Sequence, residues 1–243
     1  MKITILQTGL VPEPMRDDFP TYGEMMQTML KRAGGEFEYE IISVVEDEPL
    51  PSLNQVEAVL ITGSSHGVYD PLPWIAPLKA FIRDAYDHHI PMAGICFGHQ
   101  IMAEALGGHA GKSEKGWGVG RHTYHLQNAP AHLKATADQV HITASHQDQV
   151  LTQPPAAQII AKSDFTPFAG LYYPEGPAIS VQPHPEFDDD FSETLFTKRK
   201  HVVFDPADAD QALASLKTPS SAAELGKMFA EFFRENVTKT AKI

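Results

Sequence analysis

Short apolar runs alternate with amphipathic stretches through the first half of the chain, and that alternation admits very few architectures. Ile3–Leu6, Tyr39–Val45, Ala58–Thr62 and Met92–Ile95 read as strands. Tyr22–Arg32, Pro73–His88 and Gly98–Leu106 read as helices, the last stopped by Gly107-Gly108. Such a pattern predicts a doubly wound, mostly parallel α/β sheet with helices on both faces. After Gly111 the segments become Arg121–Gln127, Val140–Thr143, Gln158–Ser163, Phe168–Tyr173 and Ala178–Gln182, separated by short turns with little helix. These are expected to add antiparallel strands to the sheet or beside it. The last runs into Gln182-Pro-His-Pro-Glu-Phe187, where two prolines without N–H groups mark the exit from the sheet. Asp188-Asp189-Asp190 reads as a solvated helix start, and Ser221 to Glu224 has capping-box spacing. Leu225, Met228, Phe229, Phe232 and Phe233 follow at helical intervals, so a terminal helix packed on the sheet is expected. The expectation is one domain over 1–243 with a C-terminal helical extension at 188–243.

Composition excludes several classes of function. The 243 residues carry 31 acidic and 19 basic side chains, a formal charge of −12, with no basic run longer than Lys198-Arg199-Lys200. Nucleic acid and anionic membranes are therefore not expected partners, because phosphate binding needs concentrated positive charge. No segment approaches the ~20 apolar residues that span a bilayer, and the first residues lack the apolar core of a secretory signal. One cysteine permits no internal disulfide, which suits a reducing compartment, and a cytoplasmic protein is expected. Twelve histidines invite a metal reading, but His88, His89, His122, His125 and His141 fit no zinc spacing, so no metal is expected.

The lone cysteine lies in Gly94-Ile-Cys96-Phe-Gly98, at the carboxyl end of the strand Met92–Ile95 and just before a helix. Glycines on both sides fit a turn so sharp that it lifts the central residue out of the sheet. The helix N-terminus that follows favours a thiolate. Two readings of Cys96 stay open on this motif alone: a nucleophile, or a buried small hydrophobe. A thiol nucleophile needs a base, and the base needs a partner that fixes its tautomer. His184 and Glu186 supply both if they end an extended strand, where residues two apart share a side.

Four motifs in this order resemble the class I glutamine amidotransferases over roughly residues 55 to 187. They are Ile61-Thr-Gly-Ser-Ser-His-Gly-Val-Tyr-Asp70, Gly94-Ile-Cys-Phe-Gly-His-Gln100, Ser145-His-Gln-Asp148 and Gln182-Pro-His-Pro-Glu186. The resemblance includes the glutaminase domains of GMP synthases and the γ-glutamyl peptidases, and it implies a flavodoxin-like three-layer α/β/α fold. It also implies a Cys96/His184/Glu186 triad that cleaves the γ-glutamyl amide of glutamine or of a γ-glutamyl peptide through a thioester, without a cofactor. By the same resemblance the backbone N–H groups of Ser64 and Phe97 form an oxyanion hole. Gly63, Gln100, Ser145, His146 and Gln147 would line the substrate site. Gln100 is either a clamp for the amino-acid end of the substrate or a solvated helix residue, and His146 either touches substrate or braces its loop.

The chain departs from the family's Gly-Gly-Pro with Gly63-Ser64-Ser65, so a side chain stands in the turn whose N–H must face the oxyanion. The backbone angles of Ser64 decide whether that hole forms. The stretch 187–243 is too short for a synthetase domain, and no phosphate-binding loop is present, so a chain that stands alone or serves a separate synthetase chain is expected. The alternatives to a stand-alone hydrolase are a glutaminase subunit delivering ammonia to that partner, and a non-catalytic binding or regulatory module.

Overall fold

The computed structural model describes residues 1–130, 133 and 137–240, with the backbone alone for 237–240. Eleven strands and six α-helices follow one another as β1 (Lys2–Gln7), α1 (Tyr22–Arg32), β2 (Glu38–Ser43), β3 (Ala58–Ile61), α2 (Ile75–Asp87), β4 (Met92–Ile95), α3 (Phe97–Ala105), β5 (His109–Lys112) and β6 (Gly118–Leu126). The chain continues through β7 (Gln139–His146), β8 (Asp148–Thr152), β9 (Gln158–Lys162), β10 (Gly170–Tyr173), β11 (Ala178–Val181), α4 (Asp189–Arg199), α5 (Pro206–Ser215) and α6 (Ala222–Thr240). Nine strands form one sheet in the order β2-β1-β3-β4-β11-β10-β9-β6-β7, and β5 pairs with β8 apart from it. Pairings from β2 through β11 in that order are parallel. Beyond β11 every pairing is antiparallel. The expected flavodoxin-like α/β fold is the fold observed.

Strand alternation sorts the core into two layers. Ile3, Ile5, Ala58, Leu60, Ala93 and Ile95 face α1 and α6, whereas Leu6, Val59, Ile61 and Met92 face α2 and α3. The apolar stripe of α6 is core: Leu225, Met228, Phe229, Phe232 and Phe233 are all buried in the first of these layers. Helix α1 starts where the sequence places it because Thr21 and Glu24 close a reciprocal capping box. A third apolar cluster gathers Val11, Met15, Met25, Phe187 and Phe191 with Phe204 and Ala212, which anchors α4 and α5 beside the carboxyl ends of the parallel strands. Buried Arg121 fastens the same corner, bonded through its guanidinium to Thr143 Oγ1 and Asp189 and to the Thr218 carbonyl.

Several sequence expectations fall short in instructive ways. Strand β2 ends at Ser43 rather than Val45, since Glu48 takes the Ser43 N–H, Glu46 takes its hydroxyl, and Asp47 turns the chain with φ 65°. The short pair β5 and β8 leaves little sequence signal because His109–Lys112 is only four residues long and shows no clear apolar alternation. Helix α5 is equally silent: its Ala-rich turns carry few large apolar side chains. Asp188 does open a helix, accepting the Phe191 N–H, and exposed Asp189 reaches Arg121.

One close approach sets the position of α3. A Cβ on Gly98 would lie 2.3 Å from the Ile61 carbonyl oxygen, and one on Gly94 would lie 2.6 Å from the Gly98 carbonyl carbon. Backbone groups cannot yield as a side-chain tip can. Gly98→Ala is expected to cost about 1–3 kcal/mol of unfolding free energy, as overpacked interiors usually do. Denaturant unfolding that matches the wild type would show that this contact does not hold α3.

Candidate active site

Four adjacent parallel strands, β1, β3, β4 and β11, deliver their carboxyl ends to one place, where ligands bind in open α/β sheets. After β4 the chain turns at Cys96 with φ 54° and ψ −103°, a conformation L-residues rarely adopt, and α3 begins at the next residue. Hydrogen bonds brace this turn on both sides. The Cys96 N–H donates to Val181 on β11, and the Gly98 N–H donates to the Thr62 carbonyl after β3. The predicted elbow is therefore present, with the thiol buried at the N-terminus of α3.

The loop after β3 is held by residues that carry no local signal in the sequence. Thr8, just past β1, donates its hydroxyl to the Thr62 carbonyl and its N–H to Thr62 Oγ1, while Thr62 donates to the Gly63 carbonyl. Gly9 lies so close that a Cβ there would sit 2.6 Å from the Gly63 oxygen and 2.7 Å from the Ser64 Cα. The departure at Ser64 carries no backbone strain, since the positive φ values outside glycine fall at Asp47, His89, Cys96, Asn128 and His201. Glycine is needed one residue earlier for space: a Cβ on Gly63 would meet the His184 ring at 3.1 Å and the Cys96 Cβ at 3.7 Å. Among the described residues, neither the Ser64 nor the Phe97 N–H has a hydrogen-bond acceptor. The Phe97 side chain points elsewhere, edge-on to Trp74 in the core.

His184 and Glu186 meet, though not by strand alternation. Strand β11 ends at Val181, and His184 makes only an isolated bridge to Thr143 before the chain turns. The turn, not a period of two, brings Glu186 Oε1 to 2.7 Å from His184 Nδ1. Phe187 then stacks flat on the imidazole, with centroids 4.1 Å apart and planes 5° from parallel. The ring is thus clamped by a carboxylate at its edge and an aromatic on its face. Its Nε2 is buried without a closed hydrogen bond. Burial opposes protonation of this ring, but the Glu186 carboxylate and the Cys96 sulfur outweigh it and push the His184 pKa up to about 10.

Two joined spaces surround the thiol. A cavity of about 410 Å³ is lined on one side by Ser64, Gln100 and Ser145–Asp148. A narrower space of about 30 Å³ runs along Gly63, His184 and Glu186. They share Ser64, Ser65, Cys96, Ser145 and Arg199. Every residue singled out from sequence lines one or both, except Phe97, whose part is confined to its N–H. Gln100 is buried rather than solvated, donating its amide to the Asp148 carbonyl and to Gln182 Oε1. His146 is braced through Nδ1 against the Asp148 carbonyl, and burial, aided by the neighbouring His122 and His184, lowers its pKa to about 3. Ser145 and His146 are the end of β7 rather than a loop, and only Gln147 separates them from β8. Burial raises the Asp148 pKa, and burial followed by Asp148 itself pushes Tyr69 to about 12. Tyr22, Lys112, Trp117, Arg199 and Val203 also line these spaces and gave no signal in sequence, because no local pattern connects these separate segments. Among the described residues no three His, Cys, Asp or Glu side chains converge to hold a metal, and no helix is long and apolar enough to cross a membrane.

The family model for glutamine amidotransferase class-I matches residues 21–202. The chain belongs to this family. A glutamine amidotransferase-like protein of Schizosaccharomyces pombe is 27% identical over 96% of this chain and 98% of its own length. Gamma-glutamyl peptidase 4 of Arabidopsis thaliana is 30% identical over 70% of both chains. The glutamine-hydrolyzing GMP synthase of Thermus thermophilus is 31% identical over 58% of this chain and 27% of its own. Among solved structures, a glutamine amido transferase from Methylobacillus flagellatus superposes with a TM-score of 0.76, covering 98% of this chain and 94% of the other at 22% identity.

The charge on His184 is open to direct measurement. An imidazole NMR titration is expected to find the ring protonated well above its ordinary value of 6.5, with the midpoint moving down in Glu186→Gln, where burial is opposed by one partner fewer. A neutral His184 at neutral pH in the wild type would contradict this balance of burial and charge.

Proposed function

We propose that the protein hydrolyses the γ-glutamyl amide bond of glutamine or of a γ-glutamyl peptide, with Cys96 as nucleophile. The observation that carries this reading is the clamped imidazole: His184 is tied to Glu186 at 2.7 Å and lies beside the elbow cysteine, with Gly63 packed so closely against both that a Cβ there would meet the ring at 3.1 Å and the Cys96 Cβ at 3.7 Å. Cys96 attacks the γ-carbonyl and the C–S bond forms as the carbonyl π bond opens. His184, having held the thiol proton, gives it to the departing nitrogen as the C–N bond breaks. Water then adds to the γ-glutamyl thioester, His184 takes a proton from it, and glutamate leaves as the thiol is restored. Glu186 fixes the tautomer of His184 and stabilises its charged form. The free N–H groups of Ser64 and Phe97 are the donors for the developing oxyanion. Gln100, whose amide N–H bonds are already committed to Asp148 and Gln182, offers its remaining oxygen to the substrate's ammonium, and Gly63, Ser145, His146 and Gln147 complete the wall.

This chemistry needs a thiol, a proton carrier and water, and no cofactor. A reactive free thiol suits a reducing, cytoplasmic setting. A second reading has specific support: one of the subunits of the glutamine-hydrolyzing GMP synthase of Ignicoccus hospitalis is 28% identical over 68% of this chain and 85% of its own. On that reading the protein is a glutaminase that delivers ammonia to a separate synthetase chain. Glutamine turnover that rises sharply on adding such a partner would select it.

Glutamate release from glutamine and from γ-glutamyl peptides tests the primary reading. Cys96→Ala is expected to fall to background, and Glu186→Gln to lose about 10²–10⁴-fold in kcat with a smaller change in KM. Turnover by Cys96→Ala equal to the wild type would reject the cysteine mechanism.

A further inference from the structure

The joined spaces have a chemically uneven lining. Around Gln100 the large cavity carries Asp70 and Asp148, and the cation Lys112 acts on Asp148. Arg199 lines this cavity too, and in the narrow space along His184 and Glu186 it is the one Lys or Arg side chain among the described residues. It comes from the last turn of α4, on the helical corner that follows the His184–Glu186 turn. Arg199 is half-buried as a residue, its guanidinium lies over the Phe204 ring at 6.0 Å, and Phe204 in turn packs against Trp117 with centroids 5.1 Å apart. No carboxylate lies within ion-pair distance of it, and none of its five N–H donors has an acceptor among the described residues. A planar, fixed donor fork beside a nucleophile, held on an aromatic shelf and left without an anion, is a site for one.

The direction of the reaction says which part of the substrate reaches it. His184 hands its proton to the departing nitrogen, so the leaving group must pass the His184 side of the thiol, and Arg199 is the one Lys or Arg side chain among the described residues that lines both that narrow space and the large cavity. The γ-glutamyl half is then assigned to the Gln100 and Asp148 part of the large cavity. We propose that Arg199 is a specificity-determining residue that binds a carboxylate on the leaving group, so that the preferred substrates are γ-glutamyl amino acids or peptides rather than free glutamine. This rests on the hydrolytic reading above and narrows it. Ammonia has no carboxylate and leaves Arg199 unused. Trp117 and Val203, which line the large cavity together with Arg199, give the body of such a leaving group an apolar wall.

The test compares substrates that share the γ-glutamyl half and differ only in the charge of the leaving group. γ-Glutamyl-glycine is paired with γ-glutamyl-glycinamide, and γ-glutamyl-alanyl-glycine with its C-terminal amide, so the two pairs also locate the carboxylate. In the wild type kcat/KM is expected to favour the acid over the amide in at least one pair by about 10–100-fold, the worth of a charge-assisted contact. In Arg199→Met that ratio should fall to near one, whatever happens to the absolute rates. A wild-type ratio near one in both pairs, or a ratio unchanged in Arg199→Met, overturns the proposal. If an Arg199 contact to the shared γ-glutamyl half were the truth, both members of each pair would lose equally and the ratio would not move. Calorimetric titration of Cys96→Ala with the same pairs gives an answer that does not depend on turnover. Tighter binding of the acid, lost in Cys96→Ala/Arg199→Met, sustains the subsite even if the hydrolytic reading has failed in its own assay. Equal binding of acid and amide rejects it.

Discussion

The carboxyl end of this sheet is organised by places where backbone lies against backbone with no room for a side chain. Gly98 meets the Ile61 carbonyl, Gly94 meets Gly98, and Gly9 meets Gly63 and Ser64. These approaches draw the ends of β1, β3 and β4 together and force the strand-to-helix turn at Cys96 into φ 54°. The turn's strain, of order 1–3 kcal/mol, is sustained by its hydrogen bonds to Val181 and Thr62 and by the packed core on either side.

The electrostatics are built on that frame. A buried imidazole would ordinarily stay neutral, and His146 and His99 do, both lowered to about 3 mainly by burial. His184 differs because the Glu186 carboxylate and the Cys96 sulfur flank it and outweigh its burial. Of these three buried histidines, burial thus favours the neutral form of two, and the neighbours of the third favour its charged form. His99 bonds Ser180 and ties α3 to β11, whereas His184 is the one whose charge the proposed chemistry uses.

The parallel half of the sheet is legible from sequence because each strand there is a short apolar run bounded by a turn and each helix carries a stripe, so pattern and packing agree. The elbow is legible for a related reason: glycines at 94 and 98 leave few alternatives once a strand precedes them and a helix follows. Proximity of His184 and Glu186 is expected from sequence for the wrong cause. Strand alternation suggests it, and a turn after β11 delivers it. What stays hidden depends on contacts between distant segments. Thr8 and Gly9 matter through Gly63, and Arg199 through a helical corner whose position is fixed by Phe204, Arg121 and Ser215, none of which a local pattern connects. Nor can the Ser64 departure be judged from sequence, since its consequence lies in a φ value and the spatial need for glycine falls at Gly63.

The central claim is that the thiol at this turn becomes covalently joined to the γ-glutamyl group. Acid quenching during turnover, followed by peptide mass spectrometry, reads that bond directly. The account predicts a γ-glutamyl adduct on the Cys96 peptide that forms at a rate sufficient for turnover, builds up further in a His184 variant acylated with an activated γ-glutamyl ester, and is absent in Cys96→Ala. Steady hydrolysis with no adduct at Cys96 under any of these conditions, or an adduct on another residue, would contradict it.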